Sequence, residues 1–221
     1  MDLKYIPYLL TLSVASLWFF LRISKKIVNS ESITRWDIWV QWHIIVFWNP
    51  LLNKIAIFIT HAWGPFVLSI LSIFLFGFLA YKKRWNQSLI VLFSISGWWI
   101  LQYFIKLLIQ RPRPENALIV IPNNYSFPSG HAIMAVIFFL LLIYIFKDEM
   151  KTSKIRIFFI ILNIFAFLFI GLSRIYLNVH WMSDVLAGFV LGIIWVTFVI
   201  LVLRIIKAFV WKNQSYKLQN K

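Results

Sequence analysis

Three residues whose side chains could act on a phosphate lie close together in the stretch from Ser173 to Asp184. Asp184 is one of seven acidic residues among 221, and His180 is one of four histidines. If the final helix begins near Val179, His180 and Asp184 face each other on one helical surface. The carboxylate would accept a proton from one imidazole nitrogen and make the other a better nucleophile or base. Arg174 is a fixed cation that can bind phosphate through two hydrogen bonds. The alternative is an ordinary interfacial patch at a helix start.

A second group lies upstream, where Pro128, Ser129, Gly130 and His131 directly precede a long apolar run. Proline and glycine before a helix favour a tight turn, in which Ser129 can cap the helix and the next amides point outward. Free N–H groups at a helix start bind anions. His131 could then reach a bound anion as a proton donor. The alternative is a simple helix cap with a passive histidine.

A third group contains two cations, Lys106 and Arg113. Lys106 is near the end of an apolar run, whereas Pro112 and Pro114 stop the helix and favour an extended segment around Arg113. A helix cation and a loop cation are thereby placed to converge. The alternative is that both are interfacial charges whose long side chains reach water.

The rest of the chain must bring these groups together within a lipid bilayer. The sequence is 62% hydrophobic and has a mean hydropathy of +0.83, which is more apolar surface than a soluble domain could bury. It contains no cysteine, which excludes disulfide and thiolate chemistry. Six apolar runs could span a membrane: 6–23, 55–80, 87–107, 131–146, 155–173 and 183–205. We therefore predict an all-α, polytopic membrane protein in which residues 1–221 form a single six-helix bundle.

Local features add detail to this bundle. Gly64 and Pro65 should bend or start the second spanning helix, and the spacing of Gly188 and Gly192 favours close helix packing. The segment 36–48 is too short to span and is rich in tryptophan, so we predict a short interfacial helix there. Thr34 with Asp37 has the spacing of a capping box that would start this helix.

Lysine and arginine in the connections set the orientation of such a bundle. More of them fall inside when the N-terminus is placed inside, which predicts cytoplasmic termini and places all three groups at the outer face of a bacterial cytoplasmic membrane. The net charge of +15 fits this orientation and anionic lipid headgroups, and no nucleic-acid motif is visible. No small-residue cleavage site follows the first run, so we expect it to be retained as a helix.

Together the three groups resemble the signature of the type 2 phosphatidic acid phosphatase family. The first part matches at 106–114, the second at 128–131 and the third at 173–184, complete and in order. The resemblance implies a six-helix membrane fold and catalysis without metal or cofactor. The residues themselves also argue against a divalent metal, since one Asp and two His are a thin ligand set.

The resemblance implies a role for each matched residue. His180 would attack phosphorus to form a phosphohistidine, Asp184 would orient and activate it, and His131 would protonate the leaving oxygen. The phosphate would be held by a set of polar and cationic residues: Lys106, Arg113, Ser129, Gly130 and Arg174.

The function predicted is hydrolysis of the phosphate monoester or diphosphate of a membrane lipid. Undecaprenyl pyrophosphate and phosphatidylglycerol phosphate are the favoured substrates, with phosphatidic acid or lipid A behind them. Two alternatives stay open: phosphotransfer to an acceptor other than water, and a non-catalytic lipid-binding or transport protein with an anion pocket. The presence of His180, Asp184 and His131 together favours an enzyme, because binding alone needs neither a nucleophile nor an acid.

Overall fold

The computed structural model describes residues 6–29, 32–120 and 123–219, with the backbone alone at 32–34 and 208–219. The N-terminal and C-terminal residues, for which we predict a cytoplasmic location, lie outside the described residues. Within the described residues, all regular secondary structure is helical, and no strand is present. Eight α-helices follow one another: α1 (Ile6–Val28), α2 (Ser32–Ile45), α3 (Pro50–Ala62), α4 (Pro65–Tyr81), α5 (Trp85–Ile109), α6 (Gly130–Phe146), α7 (Ser153–Tyr176) and α8 (Met182–Gln219). A short 3-10 turn, Lys147–Glu149, follows α6.

Most of these helices are long and apolar enough to cross a bilayer. In the described part of the chain, α1, α5, α6 with its 3-10 turn, α7, and α8 as far as Lys207 each meet that condition. Helices α3 and α4 meet it together and are bent by 42° at their junction. The bend falls at Gly64 and Pro65, as predicted, because proline lacks an N–H group and fits the first position of a new helix. With this bent pair taken as one span, the predicted six-span α-helical membrane fold is confirmed.

Helix α6 lies at the centre of the bundle, and most of its side chains are buried. Two glycines of α8 allow that helix to approach it closely. A Cβ atom on Gly188 would lie 2.8 Å from the Cβ of Ala132, and one on Gly192 would lie 2.9 Å from the Cβ of Val136. Real Cβ atoms do not pack at such distances, so any larger residue would push the helices apart. The close packing predicted from the glycine spacing is confirmed.

Helix α2 is the short tryptophan-rich helix expected from the sequence. Its Trp36, Trp39 and Trp42 side chains are exposed, whereas Asp37 on the same helix is only 1% exposed. The predicted capping box is wrong. The helix begins upstream, at Ser32, so Asp37 lies in the second turn and its carboxylate bonds to other elements instead of to the helix start.

The connections between helices divide between the two ends of the bundle. At one end, the turns that follow α4 and α6 meet, and Arg84 Nη1 lies 2.5 Å from Glu149 Oε1. At the other end, α5 and α7 finish and α6 and α8 begin. There the Ser129 amide donates a hydrogen bond to the Asp184 carbonyl oxygen at 3.1 Å. All three groups of candidate residues lie at this second end.

The close approach of α8 to α6 can be tested with Gly188→Ala. We expect the added methyl group to lower the free energy of unfolding by about 1–3 kcal/mol, the usual cost of overpacking a dense core. The thermal midpoint of the purified protein in detergent measures this effect. Gly77→Ala is the matched control, because a Cβ atom at Gly77 meets nothing within 4 Å. Equal midpoints for the two variants would contradict the packing described for α6 and α8.

Candidate active site

The candidate residues come from six places in the chain that meet at one end of the bundle. Helix ends contribute Lys106 from α5, the Ser129–His131 turn at α6, Arg174 from α7 and Asp184 from α8. Loops contribute the rest: Arg113 follows α5, and His180 precedes α8. The two imidazoles lie at this same end, His131 in the first turn of α6 and His180 just before α8.

The pair of His180 and Asp184 forms, although not in the way the sequence predicted. Helix α8 begins at Met182, not near Val179, so His180 lies in the preceding loop. The expectation that both residues share a helical face is therefore wrong. Contact arises because Asp184 sits in the first helical turn, where its Oδ2 atom accepts a hydrogen bond from the Trp181 amide at 3.1 Å. The same oxygen lies 3.4 Å from His180 Nδ1.

Arg113 sets the tautomer of His180. Its Nη1 atom lies 3.2 Å from His180 Nε2 and donates to the Val179 carbonyl at 2.8 Å. Since a guanidinium can only donate, Nε2 must act as the acceptor, and the ring proton is on Nδ1, facing Asp184. Asn124 holds the other side of the guanidinium through its carbonyl oxygen, at 3.0 Å from Nε. The Nε2 lone pair of His180 therefore points at Arg113, the cation expected to bind phosphate.

The electrostatic environment keeps His180 neutral. Burial lowers the pKa of His180 well below its ordinary value, and the positive charge of Arg113 lowers it further. Arg174 and Lys106 act in the same direction, while the backbone of Ser126 partly opposes them. A neutral imidazole with a lone pair on Nε2 is the form that can attack an electrophile.

Lys106 and Arg113 converge, as their positions around the proline-rich turn predicted. Lys106 is 7% exposed, and its Nζ atom donates to the Tyr125 carbonyl oxygen. Arg113 Nη2 reaches the same oxygen at 3.5 Å. Burial also lowers the pKa of Arg113, and the carboxylate of Asp184 opposes that shift. Two cations on one carbonyl oxygen repel each other, and an anion between them would relieve the repulsion.

The turn before α6 differs in one respect from the prediction. Ser129 is at the N-cap position, but its hydroxyl makes no capping hydrogen bond, so the predicted cap is wrong. The Oγ atom is buried and has no hydrogen-bond partner among the described residues. Gly130 lies so close to the Gln102 side chain that a Cβ atom would overlap its amide. His131 faces the break between α3 and α4, where its Nε2 atom would be 3.6 Å from a Cβ on Gly64.

Arg174 approaches the same break from α7. Its Nη1 atom donates to Thr60 Oγ1, and its Nε atom is buried without a partner in the described part of the chain. A buried donor and a buried hydroxyl without partners are costly, unless a ligand completes their hydrogen bonds. An oxyanion would do so for both Arg174 and Ser129.

Two residues beside the site, Arg111 and Asp37, were not identified as functional candidates from the sequence. Arg111 donates from Nη1 to Asp184 Oδ1 at 2.6 Å and from Nη2 to Asp37 Oδ2 at 2.6 Å. A signal was available, because acids are rare in this chain and one buried acid implies a cationic partner. What could not be read from sequence is that α2 folds back over the loop that carries Arg111.

No group of three or more His, Cys, Asp or Glu side chains in the described residues is placed to hold a metal ion.

Comparison with known proteins identifies the family. A model described as the PAP2 superfamily matches residues 87–207, and the chain belongs to that superfamily. It is similar to phosphatidylglycerophosphatase B of Bacillus subtilis, with 30% identity over 182 residues that cover 81% of this chain and 89% of the relative. It is also similar to undecaprenyl-diphosphatase of Sulfolobus acidocaldarius, with 27% identity over 208 residues that cover 88% and 89% of the two chains.

A solved structure shares the fold. The crystal structure of a transmembrane PAP2 type phosphatidylglycerolphosphate phosphatase from Bacillus subtilis matches with a TM-score of 0.76 and 28% identity. The match covers 90% of this chain and 96% of the other. The family, the α-helical membrane fold and the lipid phosphate phosphatase class predicted from the sequence are thereby confirmed.

The unpartnered groups of the site predict that inorganic phosphate stabilises the protein. At phosphate ten times above its Kd, binding adds about 1.4 kcal/mol to the free energy of unfolding, which raises the thermal midpoint. Arg174→Gln should reduce this rise in midpoint, because it removes the guanidinium whose unpartnered Nε would donate to the bound phosphate. Arg156→Gln, an exposed arginine near the start of α7, is the control. The same rise in both variants would exclude Arg174 from the anion site.

Proposed function

We propose that this protein hydrolyses the terminal phosphate of a membrane lipid, with phosphatidylglycerol phosphate or undecaprenyl pyrophosphate as substrate. The observation that carries the proposal is the position of His180. Its Nε2 lone pair faces Arg113, its Nδ1 proton faces Asp184, and unpartnered donors of Ser129 and Arg174 lie at the same end of the bundle. The names of the similar proteins support the two substrates.

In the first step, His180 Nε2 attacks the phosphorus atom of the lipid phosphate. A P–N bond forms, the P–O bond to the lipid breaks, and the electron pair stays on the leaving oxygen. His131 delivers a proton to that oxygen, so a lipid alcohol or lipid monophosphate departs. Asp184 stabilises the positive charge that develops on the attacking imidazole, as a carboxylate does for other nucleophilic bases.

In the second step, water attacks the phosphohistidine. His131, now neutral, accepts a proton from that water, and the P–N bond breaks to release inorganic phosphate and the His180 imidazole. The same residue thus acts as acid and then as base. Charge on the transferring phosphoryl oxygens is met throughout by fixed cations, which is the main demand of phosphoryl transfer. These cations are Lys106, Arg113 and Arg174.

The basic residues of the opposite end support an outward-facing site. Lys82, Lys83 and Arg84 follow α4, and further basic residues lie around the turn between α6 and α7. Such residues concentrate on the cytoplasmic side of membrane proteins. We therefore place the site at the outer face of the membrane and both termini in the cytoplasm.

The nucleophile can be tested with His180→Ala in purified protein. Phosphate release should fall by at least about 1,000-fold, the scale seen when a nucleophile is removed. The substrate panel is phosphatidylglycerol phosphate, undecaprenyl pyrophosphate, phosphatidic acid and diacylglycerol pyrophosphate, and we expect one of the first two to have the highest kcat/KM. His43→Ala is the matched control, because His43 is exposed and bonds to the Trp39 carbonyl of its own helix. Undiminished turnover by His180→Ala would refute the nucleophile.

The acid limb of kcat/KM against pH should report the protonation of His180 in the free enzyme. Because the pKa of His180 is lowered, activity should persist below the ordinary histidine value of about 6.5 and fall only at lower pH. Arg113→Gln removes a charge that lowers this pKa, so the limb should move to higher pH. Steady-state rates over a pH series measure the shift. If the acid limb stays at the same pH in Arg113→Gln, the group that titrates in this limb is not His180.

A further inference from the structure

Asp37 and Arg111 form a buried charge cluster beside the site. Asp37 is 1% exposed and Arg111 is 7% exposed, yet neither is among the residues that the sequence analysis assigned to the site. The cluster joins three segments: α2 supplies Asp37, the loop after α5 supplies Arg111, and α8 supplies Ser183 and Asp184.

Every oxygen of the Asp37 carboxylate has a partner. Oδ1 accepts from the Ser183 amide at 2.9 Å, and Oδ2 accepts from Arg111 at 2.6 Å and from the Ser183 hydroxyl. Arg111 Nη1 also donates to Ser183 Oγ at 2.7 Å. Complete pairing of this kind compensates a buried carboxylate for its removal from water, because leaving it unpaired would be very costly.

Arg111 divides its two arms between two acids. Nη1 binds Asp184, the residue that contacts His180, and Nη2 binds Asp37. The guanidinium also lies 5.4 Å from the centre of the Trp181 ring. If Asp37 were neutral, the whole charge of Arg111 would act on Asp184 and weaken the pull of that carboxylate on the imidazole.

Apolar contacts also hold α2 against the bundle, because Val40 and Ile44 pack on the cluster that contains Ile175 and Val185. A small cavity lies between α2 and the loop before α8, lined among others by Gln41, Asn178 and His180. The outer side of α2 is exposed tryptophan. In the described part of the chain, the Asp37 carboxylate accepts the hydrogen bonds that join this helix to the start of α8.

We propose that Asp37 and Arg111 are positioning residues that hold Asp184 in the orientation and charge state that His180 requires. The inference rests on the proposed function, because it assigns Asp184 the role of supporting the nucleophile. It also gives the tryptophan-rich helix α2 a part in the reaction, because the packing of that helix against the bundle sets the position of Asp37.

The charges around His180 fix the sign of the expected effect. The groups that face it are Asp184 from α8, Arg113 from the loop after α5, and Arg174, Lys106 and His131 from α7, α5 and α6. Asp37 contributes one negative charge behind Arg111. Its removal makes the surroundings of His180 more positive, so protonation of the imidazole becomes harder and the acid limb of kcat/KM moves to lower pH.

The test is Asp37→Asn, a substitution of the same shape, assayed on the preferred lipid phosphate of the panel. We expect kcat to fall roughly tenfold, as for other partners that orient a catalytic ligand, with KM changed by less than about twofold because the phosphate-binding cations are untouched. The acid limb should also move to lower pH. Asp148→Asn, an exposed acid at the opposite end, is the matched control and should leave kcat and the limb unchanged. An unchanged kcat and limb in Asp37→Asn would overturn the inference.

A second variant decides the case in which Asp37→Asn does not fold. Ser183→Ala keeps every charge and removes one hydroxyl between Asp37 and Arg111, so kcat should fall with KM and the acid limb unchanged. A kcat equal to that of the wild type would overturn the positioning role. His180→Ala, measured in parallel, separates failure of this inference from failure of the proposed function. Turnover by His180→Ala would refute the proposed function. An inactive His180→Ala together with an unaffected Asp37→Asn would refute this inference alone.

Discussion

The site depends on one buried carboxylate, that of Asp184. It is fully buried at the end of an apolar bundle, and four groups compensate for its removal from water: the Trp181 amide, the Arg111 guanidinium, the His180 ring and the cations beyond that ring. Such a charge is tolerated in a low-dielectric environment only when it is paired on all sides. The pairing holds the Nδ1 side of the His180 ring toward Asp184, so Nε2 faces Arg113, whose donor fixes the tautomer. Nucleophile, orientation and anion site therefore follow from one electrostatic requirement.

The bundle meets this requirement by aligning helix ends. Helices α6 and α8 start side by side because Gly188 lets the Ser129 turn approach the first turn of α8. Free N–H groups at a helix start favour negative charge, which suits Asp184 within α8 and a phosphate near α6. Helices α5 and α7 finish at the same level and deliver Lys106 and Arg174. The break at Gly64 leaves room for His131 and supplies Thr60 to Arg174.

Much of this arrangement could be predicted from the sequence, because hydropathy and motif spacing are local properties. The runs of apolar residues predicted the spanning helices, and the prolines around Arg113 predicted its convergence with Lys106. The errors arose where tertiary contacts override local patterns. Asp37 has the spacing of a helix cap but bonds to Arg111 and Ser183, and Ser129 is a cap by position whose hydroxyl bonds to none of the described residues. The condition that α8 begins near Val179 is not met, since the helix starts at Met182 and Asp184 turns back to the Trp181 amide, a contact that no local pattern shows.

In the proposed reaction the phosphoryl group is transferred from the lipid to the His180 imidazole. Rapid acid-free quenching of the enzyme during turnover of a lipid labelled in its terminal phosphate, followed by peptide mapping, tests it directly. Phosphate bonded to nitrogen should be found on the peptide that contains residue 180, and the label should disappear when excess unlabelled lipid is added before the quench. Label on the peptide that contains His131, or turnover without any protein-bound phosphate under conditions that slow the second step, would contradict the account.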